Sequence, residues 1–372
     1  MIIYLSNENI EKKGSGVNKK IKGQINTFNK SGLDCKYKYF PFVNEFHNNV
    51  IDKIARRLPF FPLYRNLNID DEYKNAKAIY VRHILLDRSA IRFFKKVRHY
   101  NPTCKIVWEF PTYPYDQEMK KYVRMWPFYI KDLLNRNLLK EFVDYAAILT
   151  NEDEVFGIKT LKISNGIVFS EVRSRKITIK GGDEIHLIAV AQFAWWHGYD
   201  RFIEGMKIYY ASNPSRKMIF HLVGHGSEFG RYQKMVAEYG LREYVIFHGQ
   251  QTGEALDAIY DQCNLGIASL GFHRTGLTEG APLKTREYLA KGLPFVFGAK
   301  VSDISDEDKD NIYLQVPAND SPIDIGSILE FYDRIYSEGA EQVNTRLRQF
   351  AKDHFSMEVA MKEVIDFFKD GK

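Results

Sequence analysis

Three observations predict that this chain folds as two α/β domains, each a parallel sheet flanked by helices. Short apolar runs alternate with longer helical patterns, and this alternation occurs twice along the chain, as strand–helix–strand units do. At 372 residues the chain is long, and a single hydrophobic core stops growing near that size, so two domains of roughly 150–200 residues are expected. Between Asn165 and Asp183 the pattern breaks, where "SNGI" gives way to the polar stretch "SEVRSRKITIKGGD", a turn-rich join that reads as a hinge. Both domains are expected to be Rossmann-like, covering 1–170 and 171–350, with 351–372 as a terminal helix.

In the first domain the strands are "IIYLS", "CKYKYFPF", "AIYVRH", "KIVWEF" and "YAAILT", separated by helices such as "VNKKIKGQINTFNKSG" and "DRSAIRFFKKVRHY". The second domain repeats the scheme with "IHLIAVAQF", "KMIFHLVG", "YVIFHG", "LGIASL", "PFVFG" and "IYLQV". Its helices include "YDRFIEGMKIYYASN", "SEFGRYQKMVAEYG" and "TGEALDAIYDQCN". In the tail, Phe355, Val359, Met361, Val364, Phe367 and Phe368 recur near helical spacing, which predicts one long apolar-faced helix. The acidic stretch 302–311 reads as a solvated loop, and no repeat of solenoid period occurs.

Composition narrows the function. Hydrophobic residues make up 45% and charged residues 27% of the chain, ordinary for a globular protein, and no apolar run reaches the roughly 18 residues of a membrane-spanning helix. "MIIYLSNENI" is read as part of the fold rather than a signal. Cys35, Cys104 and Cys263 are odd in number and lack C-x-x-C spacing, which fits a reducing cytoplasm and no zinc site. The net charge of +6 is uneven: residues 1–170 carry 29 Lys and Arg against 18 Asp and Glu, and residues 171–372 carry 24 against 29. A basic half suits an anionic substrate, an anionic membrane surface or nucleic acid, or is simply a solvated face. Nucleic acid is disfavoured, because no recognition motif or aromatic platform accompanies the charge. Segments 51–69 and 120–141 interleave basic residues with bulky apolar ones, a pattern shared by interfacial helices and by surface helices packed on a core.

The segment "GLTEGAPLKTREYLAKGLP", 276–294, carries the most chemistry. Pro282 suits a first helical position and Gly292 the residue past the end, so a helix of about ten residues is expected, with Leu283, Tyr288 and Leu289 towards the core. Free N–H groups at its start, reinforced by Lys284 and by Arg286 or Arg274, make an anion site suited to a diphosphate. Glu279 and Glu287 are eight positions apart, about 12 Å if helical throughout. That spacing places one carboxylate at each polyol end of a nucleotide-sugar whose diphosphate lies between them.

These residues carry a resemblance. The chain resembles the retaining GT-B glycosyltransferases of family four (glycosyl transferases group 1), whose C-terminal domain has a Glu-x7-Glu motif. Further similarity lies in "VAQFAWWHGYDRFIEG", "FHLVGHGSEFGRYQKMV", "VIFHGQQTGEALDAIYDQCNLGIASL", "ISNGI" and "KGLPFVFG", and it covers nearly the whole chain. The resemblance implies two Rossmann-like domains facing across a cleft, with the C-terminal helix crossing back to the N-domain. Residues 1–170 would bind the acceptor and 171–350 the donor. Glu279 would hold donor-sugar hydroxyls, Glu287 the ribose diol, and the backbone of Gly280, Ala281, Pro282, Leu283 and Lys284 the diphosphate. Glu279 and Lys284 are the expected catalytic residues. Where the family has a diphosphate-binding arginine and lysine, this chain has Gln192 and His197, so either Lys284, Arg274 and His197 are expected to supply the missing positive charge, or the donor is held differently, or the chain is a weak or inactive relative.

In the first domain, Gly14 and Gly16 follow the first strand and precede a lysine-rich helix, resembling the family's first glycine loop; plain turn chemistry accounts for the same residues. Arg82 and His83 end one strand, and Glu109, Thr112, Tyr113 and Asp116 follow another. Ligands of open α/β sheets bind beyond strand carboxyl ends, so Arg82, Thr112 and Tyr113 are candidate acceptor contacts, or else polar caps. No carboxylate pair of the glycoside-hydrolase kind is found, and "DED" at 306–308 lacks the setting of a metal site. The expected reaction is metal-independent hexose transfer from a nucleoside-diphosphate sugar to a hydroxyl, with retention. The expected acceptor is a glycan or lipid-linked glycan in surface polysaccharide or glycolipid assembly, at a cytoplasmic or peripheral inner-membrane location. The competing readings are a binding partner without turnover, an epimerase, and a dehydrogenase; Lys20 near the third glycine position argues against the last.

Overall fold

The structure, a computed structural model, describes residues 1–11, 16–40, 54–58, 60–64, 67–120, 123–177 and 184–370. Gly14, the end of the second expected strand, parts of both amphipathic segments and the whole "TIKGGD" stretch of the join lie outside the described residues. Contacts divide the chain into unit 1, Met1–Gly166 with Met357–Lys372, and unit 2, Ile167–Ser356.

Unit 1 contains β1 (Ile2–Ser6), β2 (Cys35–Tyr39), β3 (Ala78–Arg82), β4 (Lys105–Phe110), β5 (Tyr145–Ile148), β6 (Glu154–Val155) and β7 (Ile158–Lys162). They form one sheet in the order β2-β1-β3-β4-β5-β7-β6, parallel except for β6 against β7. Every residue of β1 and β3 is buried, as a parallel sheet covered on both faces requires, which is why these strands read as unbroken apolar runs. The helices used below are α1 (Gly16–Lys30), α2 (Arg88–Tyr100) and α3 (Trp126–Asn135). Asp87, expected as the first residue of α2, is its cap: Oδ1 accepts the Ser89 and Ala90 N–H groups, both at 3.0 Å, and Oδ2 accepts that of Leu63 at 2.6 Å, satisfying donors a helix start leaves open.

A buried ionic cluster crosses the strand ends of this sheet. Arg82 and Glu109 are register partners on β3 and β4, and Arg82 Nη1 donates to Glu109 Oε1 at 2.8 Å. Lys20 of α1 approaches the same oxygen at 3.4 Å. Tyr80 and Gln24 donate to Oε2 at 3.0 and 3.3 Å. Burial pushes the Glu109 carboxyl upward, but Arg82 and Lys20 outweigh it and hold the group below its ordinary range.

Unit 2 contains β8 (Glu184–Phe193), β9 (Lys217–Gly226), β10 (Val245–Gly249), β11 (Leu265–Ile267), β12 (Glu279–Gly280), β13 (Phe295–Phe297), β14 (Lys300–Val301) and β15 (Tyr313–Gln315). Six of these form a sheet ordered β10-β9-β8-β11-β13-β15, and β12 pairs with β14 separately. Its helices are α4 (Tyr199–Ala211), α5 (Phe229–Glu238), α6 (Gly253–Gln262), α7 (Leu283–Ala290), α8 (Ile325–Tyr336) and α9 (Ala340–Phe355). The order reverses between β8 and β11, the switch point at which doubly wound sheets open a crevice. The stretch 302–311 is not all loop: a single turn, Asp306–Lys309, lies within it, capped by Ser305.

Three histidines on adjacent strands form a ladder. His186 Nδ1 lies 2.8 Å from His221 Nε2, and His221 Nδ1 lies 2.9 Å from His248 Nε2, with rings stacked at 5.1 Å in both pairs. Burial holds the central His221 down to about 3, with His186 and His248 acting in the same direction and Glu184 opposing.

The tail corrects the expectation of one long helix. α9 stops at Phe355, Ser356 is extended with ψ 152° and bridges Ile167, and the chain continues as Met357–Ala360 and Lys362–Asp370. Val359, expected on the apolar face, is 43% exposed, whereas Met361 and Val364 are fully buried. A break in the helix rotates the apolar stripe, so a single spacing could not describe both sides of it.

Replacing Glu109 with alanine leaves Arg82 and Lys20 buried without their carboxylate, and should lower the unfolding free energy by about 3–5 kcal/mol in urea titrations. The ladder predicts an acid limb. The folded His221 binds its proton only near pH 3, whereas an unfolded histidine binds it near about 6.5. The stability it contributes is therefore complete above about pH 6.5 and is lost as pH falls towards the folded value. Melting temperature should drop between about pH 7 and 5, and less steeply in His221→Phe.

Candidate active site

The site of unit 2 is built where loops after β8 and β11 cross. Gly198 lies in the left-handed region, φ +65°, and a Cβ there would stand 2.3 Å from the Gly271 nitrogen; only glycine permits both the angle and the approach. The crossing is closed by the Leu270 N–H donating to the His197 carbonyl at 2.7 Å. Arg274 then ties the two loops together. Its Nη1 donates to the Trp195 carbonyl at 2.7 Å, its Nη1 and Nη2 grip both Asp200 oxygens at 3.0 and 2.9 Å, and its Nε reaches Asp320 at 2.7 Å. Arg201, also buried, donates to the Ser321 and Pro317 carbonyls at 2.8 and 3.1 Å and to that of Leu270.

The segment after Thr278 is held by strand pairing rather than by its own helix. Glu279 and Gly280 form β12, in register with Lys300 and Val301 of β14. A Cβ on Gly280 would meet the Phe272 ring at 2.9 Å. α7 follows as an eight-residue helix. Pro282 is its extended N-cap, ψ 140°, with no capping side chain, rather than its first helical residue as expected. A proline cap offers no side-chain acceptor, so the N–H groups of Leu283 and Lys284 remain for a ligand. Gly292 ends the helix as expected, with φ +69°.

The charged residues of α7 separate by face. Lys284 is half-buried, and its Nζ lies 3.4 Å from the Tyr199 hydroxyl. Burial pushes its ammonium down to about 7 against the pull of the Glu287 carboxylate. His197 accepts the Ala194 N–H through Nδ1 at 3.1 Å, which leaves the proton on Nε2. Burial, with Lys284 adding to it, holds this ring neutral down to about 3. Arg286 is fully buried, paired with Asp303, with its guanidinium 3.8 Å from the centre of the Phe355 ring. The expected reinforcement from Arg286 is thereby corrected, since its guanidinium is fully buried between Asp303 and Phe355, with Nε and Nη1 lacking hydrogen-bond partners among the described residues. Leu283, expected in the core, is 48% exposed, while Tyr288 and Leu289 are fully buried; a first-turn residue beside an open N-terminus has little to pack against.

The other sequence-predicted residues fall as follows. Gln192 is exposed on β8 opposite His225. Glu279 is exposed, and Ala281, Pro282 and Glu287 are half-buried. Arg274 adjoins the site, yet four of its hydrogen bonds go to protein groups, so it acts as a strut. Gly16, Arg82, Thr112 and Tyr113 belong to unit 1. There Gly16 opens α1, Arg82 is committed to Glu109, Thr112 is exposed, and Tyr113 packs on Phe156 at 5.9 Å. Among the described residues no group of three metal-ligating side chains converges. Sequence reasoning missed Tyr199, which stacks on His197 at 5.4 Å and meets Lys284, and the adjacent Trp195 and Trp196, which are 44% and 38% exposed. The signal available was "WWHGY" itself, two indoles ahead of a glycine turn.

Comparison with known proteins now bears on this geometry. Residues 171–319 match the family described as glycosyl transferases group 1. The matched segment holds the Gly198–Gly271 crossing, Arg274, β12 and α7. The fold resembles a glycosyltransferase from Rickettsia africae, at 12% identity and TM-score 0.64 over 99% of this chain and 98% of that one. It also resembles Anabaena HepE in complex with UDP, at 12% identity and TM-score 0.57 over 98% of each chain, and the lipopolysaccharide outer core galactosyltransferase WaaB, at 13% identity and TM-score 0.57 over 98% of each. No curated protein matches the chain in sequence. Two parallel-sheet units with these similarities are a GT-B fold, and the group 1 match supports a transferase.

The Lys284 ammonium, which titrates near pH 7, gives a direct test of the anion site. Inorganic pyrophosphate should bind more weakly as pH rises above about 7, because the cation is lost, and Lys284→Arg should flatten that dependence. Calorimetric titration across this range reads it.

Proposed function

We propose that this chain is a retaining hexosyltransferase that moves a sugar from a nucleoside diphosphate to a hydroxyl acceptor. The observation that carries this reading is the uncapped start of α7, with its open N–H groups and Lys284, next to Glu279 at the switch point of the unit 2 sheet. Breaking the glycosidic bond puts charge on a departing diphosphate. Helix-terminal N–H groups and an ammonium already partly stripped of water meet that charge without reorganising. In this reading Glu279 holds the sugar hydroxyls and Glu287 the ribose, while the neutral His197 offers an Nε2–H donor. This charge balance needs no metal ion.

HepE is described in complex with UDP and with UDP-glucose, which makes a uridine donor the first to test. The acceptor proposed is a glycan or lipid-linked glycan of surface polysaccharide or glycolipid assembly. The proposed location is the cytoplasm, peripherally on the inner membrane face; among the described residues no helix is long and apolar enough to cross a membrane. A second reading, a nucleotide-sugar-binding partner of weak activity, rests on the exposed Gln192 and the uncharged His197 at positions where the resembled family carries cations.

UDP or UDP-glucose should raise the melting temperature, since a ligand of the folded state stabilises it. Glu279→Ala should lower transfer at least about 100-fold with unfolding unchanged. Binding without turnover in the parent chain would favour the partner reading, and parental transfer by the variant would remove Glu279 from the site.

A further inference from the structure

Unit 1 contains a cavity of about 1040 Å³, at the upper end of the range of ligand pockets, which the proposed transfer does not use. Its two long walls differ in chemistry. On α3, Trp126, Ile130 and Leu134 recur every four residues and form one stripe, 50%, 48% and 73% exposed, continued by Val123 at 79% and faced by Phe60 at 83%. Phe128 and Asp132, on the opposite side of the same helix, are buried, so this stripe lies outside the core.

On α2, Arg88, Arg92 and Lys95 stand at i, i+4 and i+7 and line the same cavity, together with Arg57. Lys95 pairs with Glu141 at 2.7 Å, but among the described residues no carboxylate pairs with Arg57, Arg88 or Arg92. Asp87 also lines the cavity, and its oxygens are taken by the N–H groups of α2 and Leu63. The groove therefore presents an apolar wall and a cationic wall. Its floor is fixed by the buried Lys131, whose Nζ donates to the Arg56 and Phe61 carbonyls at 2.7 and 2.6 Å.

We propose that this groove seats a phosphate-bearing membrane lipid, its hydrocarbon tail along Trp126, Ile130 and Leu134 and its headgroup on Arg57, Arg88 and Arg92. Charge complementarity selects an anionic occupant, since arginines without carboxylate partners face the opening. The apolar stripe selects a long chain rather than a free phosphate. An indole at the edge of such a stripe suits the boundary between hydrocarbon and headgroup. The inference deepens the proposed peripheral location by naming the surface and its ligand, and it rests on unit 1 alone, so it stands or falls apart from sugar transfer.

The test uses the full chain, no donor sugar, and vesicles whose phosphatidylcholine carries brominated acyl chains, with or without phosphatidylglycerol. Tryptophan fluorescence should be quenched by the anionic vesicles and much less by the neutral ones. Trp126→Phe should remove that quenching, because the other three tryptophans lie elsewhere in the chain. Leu134→Glu and the pair Arg88→Glu with Arg92→Glu should each weaken vesicle binding by about tenfold or more, with melting unchanged. Equal quenching by neutral vesicles, absence of binding, quenching that survives in Trp126→Phe, or parental binding by Leu134→Glu would overturn the proposal.

Discussion

The crossing of two loops at Gly198 and Gly271 is the constraint on which the site of unit 2 depends. Parallel β8 and β11 deliver their chains to the same sheet edge, and the loops must pass at a distance that excludes a side chain at the contact. Once they cross, the Leu270–His197 backbone hydrogen bond and the Arg274 fork on Asp200 hold His197 and Tyr199 in place against Lys284. The environment of Lys284 is thus set by backbone approach, one step removed from the charge itself.

The same arrangement explains why most cations near the site cannot serve a ligand. Arg274 and Arg201 satisfy their guanidinium groups on carboxylates and carbonyls, and Arg286 is sealed in the interior with Nη2 on Asp303 and its face on Phe355, while Nε and Nη1 have no hydrogen-bond partner among the described residues. Burying such a group demands partners, and a partnered group has little left to offer an anion. Lys284 differs, because its near neighbour is a phenol rather than a carboxylate, and desolvation there leaves the ammonium poised instead of neutralised. Unit 1 shows the opposite solution at Glu109, where five polar side chains consume one another.

Several features were legible because short-range physics decides them. Strands buried on both faces appear as apolar runs, and Gly292 after α7 marks a helix end by its backbone angle. Glu279 and Lys284 were legible as candidates because a motif is local. Leu283, Arg286 and Val359 were misread because spacing names a helix face without saying what it meets. The histidine ladder was invisible, since His186, His221 and His248 become neighbours only when three parallel strands take their register.

The sequence alone determined the two α/β domains, the strand and helix segments, and the segment 276–294 as the place where anion chemistry concentrates, because periodicity and capping act within a few residues. Tertiary structure decided which charges remain available: it turned Arg274 into a strut, sent Arg286 to Phe355, locked Arg82 onto Glu109 and left Lys284 beside Tyr199. The reason is that desolvation and ion pairing depend on neighbours distant in sequence, and a charge acquires its chemical character only when those neighbours are in place.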